Sequence, residues 1–230
     1  MSAALIDLVS VGAQDVYITG QPEVSFFRQN YKRHTNFSMK PERMDYIGTF
    51  AANNEVAIPI RSKGDLMSYI WIEATGIAAV QNNTTGLFSQ NAAAPTEFSL
   101  WIGGQKVSEL DSLFIQGVHN PLLRDSAAKA ASAVTTNNKK ANHGGDHYMI
   151  PFFFGEDWTK VLPLVALQYH DVEIRIKCRD GFTPGSTPKV WGNYVYLDTD
   201  ERAFFTENDH ELLITQTQYQ LATKTDTDID

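Results

Sequence analysis

Cysteine is almost missing from this sequence: Cys178 stands alone among 230 residues. One thiol excludes a disulfide within the chain and any zinc site built on cysteines. Long apolar runs are missing too. No stretch of 18 apolar residues occurs, and no basic segment leads into an apolar one at the N-terminus, so the chain is expected to be soluble and not exported by a signal peptide. Positive charge is in deficit, with 27 acids against 19 Lys plus Arg and a formal charge of −8. Coating nucleic acid requires clustered cations to neutralise phosphates, so direct nucleic-acid binding is not expected.

Catalytic signatures are also lacking. Gly103-Gly104 lies in a hairpin pattern and Gly144-Gly145 in a polar stretch, so neither forms a phosphate loop ahead of a helix. There is no Gly-x-Ser-x-Gly elbow to present a nucleophile. His143 and His147 have a spacing that binds metal on a helix, but two glycines between them oppose a helix. His170, beside Tyr169 and Asp171, reads as a hydrogen-bonded structural histidine rather than a base. The chain is accordingly read as not an enzyme, with no catalytic residue, no cofactor and no metal.

What is present is strand. Residues 24–27, 36–39, 46–60, 66–74, 98–102, 105–107, 148–154, 165–178, 189–197 and 211–219 are rich in β-branched and aromatic residues or alternate in polarity. Gly103-Gly104 supplies the positive φ values of a two-residue turn and marks the clearest hairpin. Leu110, Leu113, Phe114 and Val118 fall at helical spacing, which predicts one short helix over 108–118, capped by Ser108 or Asp111 and stopped at Asn120-Pro121. Segments 81–95 and 127–145 are polar and aperiodic, hence long loops. About eight strands with no βαβ alternation predict an all-β fold, an antiparallel eight-stranded jelly-roll sandwich. Its core is expected to draw on residues 152–154 with Trp71, Ile72 and Trp191. Cys178 shares the parity of Val172, Ile174 and Ile176, which places it in that core as a small apolar residue.

Three parts are predicted: an N-terminal arm over 1–21, with a short helix or extended chain near 2–11, a jelly-roll domain over 22–219, and a linker or tail over 220–230. Charge is divided along them. Residues 198–230 hold nine acids against Arg202 and Lys224, while Arg28, Lys32, Arg33, Lys40 and Arg43 face only Glu42 within 28–43. These are either two solvated faces or complementary patches on neighbouring copies. The tripeptides Asn82-Asn83-Thr84 and Asn83-Thr84-Thr85 make Asn82 and Asn83 glycosylation candidates, with a further one at Asn36-Phe37-Ser38.

Four motifs carry a resemblance. Gly12-Ala13-Gln14-Asp15-Val16-Tyr17-Ile18-Thr19-Gly20 leads into Phe26-Phe27-Arg28 and Tyr31-Lys32-Arg33-His34-Thr35-Asn36-Phe37. Gly64-Asp65-Leu66 follows, then Leu162-Pro163-Leu164-Val165-Ala166-Leu167-Gln168-Tyr169-His170-Asp171-Val172. Tyr196-Leu197-Asp198-Thr199-Asp200-Glu201-Arg202 with His210-Glu211-Leu212-Leu213-Ile214 closes the series. In this order they resemble the major capsid proteins of nucleocytoplasmic large DNA viruses, especially those infecting algae, over nearly the whole chain. The resemblance implies a structural virion protein of two consecutive jelly rolls, of which this sequence covers the first, with 218–230 resembling the passage to the second. It implies a trimeric capsomer of copies of the chain and contacts with minor capsid proteins. Any underlying viral membrane would be reached only through those minor proteins, and assembly would take place in the host cell cytoplasm. Loops 81–95 and 127–145 would then supply outer surface and intersubunit contacts. Two alternatives stand beside this reading: a single-jelly-roll minor or vertex capsid protein, and a carbohydrate-binding jelly-roll module with exposed aromatics on one face.

Overall fold

The computed structural model describes residues 3–29, 31–74, 86–88, 95–115, 117–119 and 146–218. It divides into two compact units, Met1–Thr35 and Asn36–Asp230. In the first unit α1 (Ala3–Val9) and the single turn α2 (Val16–Thr19) have no buried residue, and the strand expected over 24–27 is a turn instead. That segment has β formers but no partner strand to complete its backbone bonds.

The second unit is a sandwich. Its strands are β1 (Phe37–Met44), β2 (Glu55–Pro59), β3 (Leu66–Ala74), β4 (Glu97–Ile102), β5 (Gln105–Asp111), β6 (Asp146–Ile150), the two-residue β7 (Leu162–Pro163), β8 (Val172–Lys177) and β9 (Lys189–Leu197). Sheet 1 has the order β1-β9-β3-β6, with β7 added to β3, and sheet 2 the order β2-β8-β4-β5, all antiparallel. The chain changes sheet at most connections and stays in one at the β4–β5 hairpin and between β6 and the short β7. That alternation is the jelly-roll topology.

Period-two patterning explains the core. Val56 and Ile58, Phe98 and Leu100, and Ile174 and Ile176 point inward from sheet 2, where they meet Ile70, Ile72, Val190 and Ile150 of sheet 1. Phe88 stacks between Phe98 (5.0 Å between ring centres) and Tyr148 (3.7 Å). Gly103 and Gly104 turn the β4–β5 hairpin at φ values of +58° and +80°, as a two-residue turn demands. A bulge between Met67 and Tyr69 shifts the parity of β3, which lets Met67 enter the main core while Leu66 faces outward.

Further expectations are corrected. Of the strand expected over 165–178 only β8 forms, since residues 164–170 are turns and a bend. β5 runs on through Asp111, so the helix expected over 108–118 begins only at α3 (Ser112–Phe114), capped by Asp111, which accepts the Phe114 N–H at 2.5 Å, and it goes on as π-helix at the described residues 115 and 117–119; the β4–β5 ladder outcompetes helical periodicity only ahead of Ser112. β6 ends at Ile150, and Phe153–Gly155 is a single 3₁₀ turn, although Phe152, Phe153 and Phe154 are buried as expected. Trp71 and Trp191 lie on the outer face of sheet 1, not in the core.

The remaining two concern the C-terminal segment. The nine-residue helix α4 (Thr199–Glu207) was not foreseen. Residues 211–218 form no strand. Leu212 and Ile214 alternate inward against the core, as a strand would, but the segment meets β5 through side chains: Gln216 donates to the Val107 carbonyl (2.6 Å) and Thr217 to that of Glu109 (2.9 Å). Alternation without backbone pairing makes extended chain, not sheet.

Candidate functional site

Among the described residues, the chemistry weighed in the sequence does not gather into a centre. Asn82 and Asn83 lie outside the described residues, as do His143 and nearly all of the loops 81–95 and 127–145. Asn36 is exposed just ahead of β1. His147 sits on β6 opposite Glu73. His170 packs over the β4–β5 turn, so close to Gly103 that a Cβ there would lie 3.0 Å from its Nδ1. Among the described residues no group of three or more His, Cys, Asp or Glu is placed to hold a metal.

Cys178 is buried, and burial pushes its thiol up to about 11. The folded thiol thus keeps its proton where an exposed one, near 8.5, loses it. Two outcomes follow. At pH 8 the native chain should react with a thiol reagent at least ~100-fold more slowly than the unfolded chain. Because the folded state holds a proton that the unfolded state has released, stability should fall as pH rises from about 9 to about 11. A native-state labelling rate equal to that in denaturant would contradict the buried position.

The informative features are the two outer faces, which differ in kind. On sheet 2 the outward positions carry Glu55, Glu173, Arg175, Lys177, Glu97 and Glu109. They form a cross-strand charge ladder: Arg175 pairs with Glu173 and reaches Glu55 (3.9 Å), and Lys177 pairs with Glu97 (3.5 Å). The Arg175 guanidinium also lies 4.4 Å over the ring of Trp101. This is a solvated face of mutually supporting pairs.

Sheet 1 breaks the usual polar-out rule of an antiparallel sandwich. Its outward positions hold Met39, Tyr69, Trp71 and Trp191, with Trp71 and Trp191 stacked at 6.1 Å and 9°. Glu73 accepts the Trp191 indole N–H (2.9 Å) and pairs with Lys189 (3.5 Å) at one end of the face. The other end is already covered: Leu66, Val161 and Val195 form a small second core with Leu197 and Phe205 of α4. Between these ends Met39 and Tyr69 are exposed and Trp71 and Trp191 half-buried, and Trp158, in edge contact with Phe37 at 6.2 Å, stands exposed beside them. The free edge of β1 is guarded. Pro41 has no N–H to offer, and the Lys63 ammonium takes the Arg43 carbonyl (2.6 Å), a combination that discourages strand addition.

One polar cluster ties the architecture together. The Asp65 carboxylate is nearly buried and accepts three N–H groups: Arg202 Nε at 2.9 Å, Arg202 Nη2 at 3.1 Å and the Leu197 backbone at 2.8 Å. Its backbone bonds Val195 and Val165, both at 3.0 Å. Gly64 must precede it, because a Cβ there would lie 2.9 Å from Tyr194 Cβ. Three motifs far apart in sequence, around 64–66, 162–172 and 196–202, therefore converge on one residue, the last on its carboxylate and the second on its backbone carbonyl. Nothing in their separate patterns indicated this. A signal for α4 was nevertheless present, since Asp198 caps the helix and Glu201 stands three residues on, the spacing of a capping box. Part of the acidic run is thus helix N-terminal charge.

Comparison with known proteins extends these observations. Residues 25–198 match the family described as major capsid protein N-terminus. The chain is 31% identical to the major capsid protein of Pyramimonas orientalis virus over 95% of its own length and 59% of that protein's. It is 30% identical to that of Paramecium bursaria Chlorella virus 1, again over 95% of itself and 53% of the relative. It therefore spans somewhat more than half the length of these two relatives. Among solved structures, the quasi-atomic model of the PBCV-1 virus capsid superposes with a TM-score of 0.67 at 26% identity, covering 88% of this chain and 53% of that one.

Proposed function

Because the chain belongs to the family of the major capsid proteins of nucleocytoplasmic large DNA viruses, we propose that it is a structural virion subunit that packs against copies of itself in an icosahedral shell. The capsomer in this reading is a trimer, in contact with minor capsid proteins, through which alone it meets any viral membrane. It binds no nucleic acid directly, catalyses no reaction and assembles in the host cytoplasm. Residues 1–21 act as an arm against neighbouring copies, 22–219 as the jelly-roll block, and 220–230 as a linker.

The observation that carries this reading is the aromatic outer face of sheet 1. A soluble sandwich that worked alone would clothe that face in polar residues, as sheet 2 is clothed; an exposed apolar patch on a rigid block is made to be covered. The arm supports it too, for α1 and α2 expose Leu5, Leu8, Val9 and Ile18, too many apolar side chains for a free tail. Light scattering of the purified chain is expected to give a mass three times that of the monomer, or a larger assembly, as concentration rises. A monomer at every concentration would remove the reading.

A further inference from the structure

The pocket beside the outer face of sheet 1 has walls of Met39, Tyr69, Trp158 and Val161 over a floor of Phe154, and a volume of about 240 Å³. Met39 is 45% and Trp158 63% exposed, so the walls stand open. An apolar cavity of about 150 Å³ already takes a benzene ring, so an aromatic side chain fits. The rim is acidic. Glu156 is matched by Lys160 at 2.8 Å, but Asp157 pairs with no cation among the described residues. Asp157 instead accepts the Thr159 hydroxyl (2.6 Å) and the Trp158 N–H (2.7 Å), bonds that hold its carboxyl below the usual range and keep it charged.

The same sequence carries a side chain pair of complementary form. Phe26 and Phe27 are adjacent and 99% and 96% exposed, and Arg28 follows them. Two bare phenyl rings beside a cation are what an apolar pocket with an unpaired carboxylate at its rim would select.

We propose that Phe26 and Phe27 of one copy dock into the pocket between Met39 and Trp158 of a second copy, with Arg28 meeting Asp157. This rests on the self-association proposed above and names the surfaces that perform it. Knob and hole are different patches, so the contact is heterologous, and repeating it either closes a ring or runs on as a filament. Two phenylalanine rings bury roughly 300–500 Å², and the pocket walls double this to about 600–1,000 Å². That is the small class of interface, so assembly through it depends on concentration and is completed by ring closure.

Complementation tests it. One variant loses the knob (Phe26→Ala with Phe27→Ala), and another blocks the hole (Met39→Glu, or independently Trp158→Glu). All these side chains are exposed, so the circular dichroism of each variant should match the parent. In sedimentation, each variant alone should need about tenfold or more higher concentration to associate. Knobless and hole-blocked variants mixed in equal amounts should form a heterodimer and stop there, because the mixture holds one intact knob and one intact hole. Tryptophan emission should shift to the blue in that mixture, as in the associating parent, and in neither variant alone. Variants that associate like the parent, or a mixture that stays monomeric while the parent associates, would overturn the docking and leave the capsid reading standing. An emission difference between knobless and parent chains that are both monomeric would show the arm folding onto its own body, and would overturn it equally. A parent chain that never associates would end both.

Discussion

Phe98→Ala should lower the unfolding free energy by about 3–5 kcal/mol, the cost of removing a fully buried aromatic and leaving a cavity that the sandwich cannot collapse. Phe98 is completely buried on β4, with Phe88 stacked on it and Ile176 of β8 and Leu110 of β5 as its inward cross-strand neighbours. Both sheets are held by their neighbours, so little relaxation into the void is available. For a chain of this length the loss corresponds to roughly 6–20 °C in melting temperature. Trp191→Ala is the control. Trp191 is larger, yet it lies on the outer face, where its loss removes one stacked ring and one hydrogen bond to Glu73. That change should cost only about 1–2 kcal/mol. A denaturant midpoint that moved further for Trp191 than for Phe98 would mean that the inner and outer faces of the sandwich had been exchanged.

The second large effect is expected at Asp65. Asp65→Ala strips Arg202 and the Leu197 N–H of their acceptor at once. Breaking a buried pair typically costs about 3–5 kcal/mol. Here Arg202 is half exposed and can turn to water, so the cost should be nearer 2–3 kcal/mol. Arg202→Ala should cost less, about 1 kcal/mol, since Asp65 retains the Leu197 donor. A double-mutant cycle is the measurement: coupling near zero between positions 65 and 202 would show that the fork between them contributes nothing. Because Asp65 also joins β9 to the turn before β3, the damage should extend beyond α4. Amide exchange should accelerate at Val165 and Leu197 as well as within the helix.

Much of the fold was legible because strand formation in a sandwich writes itself into period two. The segments 66–74 and 189–197 coincide with β3 and β9, since each has dense β formers, a turn signal ahead of it and a ladder partner on both sides. The inward parity of Cys178 was legible for the same reason. Where the pattern misled, an unlike partner decided. Residues 211–218 alternate like a strand, but Gln216 and Thr217 occupy the β5 carbonyls with side chains. The 108–118 helix lost only its first residues, to a ladder that pairs Leu110 with Phe98 and Asp111 with Glu97; from Ser112 on the expected helix is present. Trp71 and Trp191 looked like core because large aromatics usually are; only the register of β3 against β9 turns them outward together.

The candidate surface was less legible than the fold. Met39, Tyr69 and Trp158 come from three separated segments, and no spacing in the sequence relates them. The same holds for Asp65 and Arg202. By itself the sequence determined that the chain is all-β, antiparallel and similar to a capsid family. Those properties follow from composition, from local periodicity and from motif order, which neighbouring residues encode. Tertiary structure alone decided which face of the sandwich is charged and which aromatic, and which distant motifs meet at Asp65. A strand's two faces become different only when a second sheet covers one of them, and that depends on residues more than a hundred positions away.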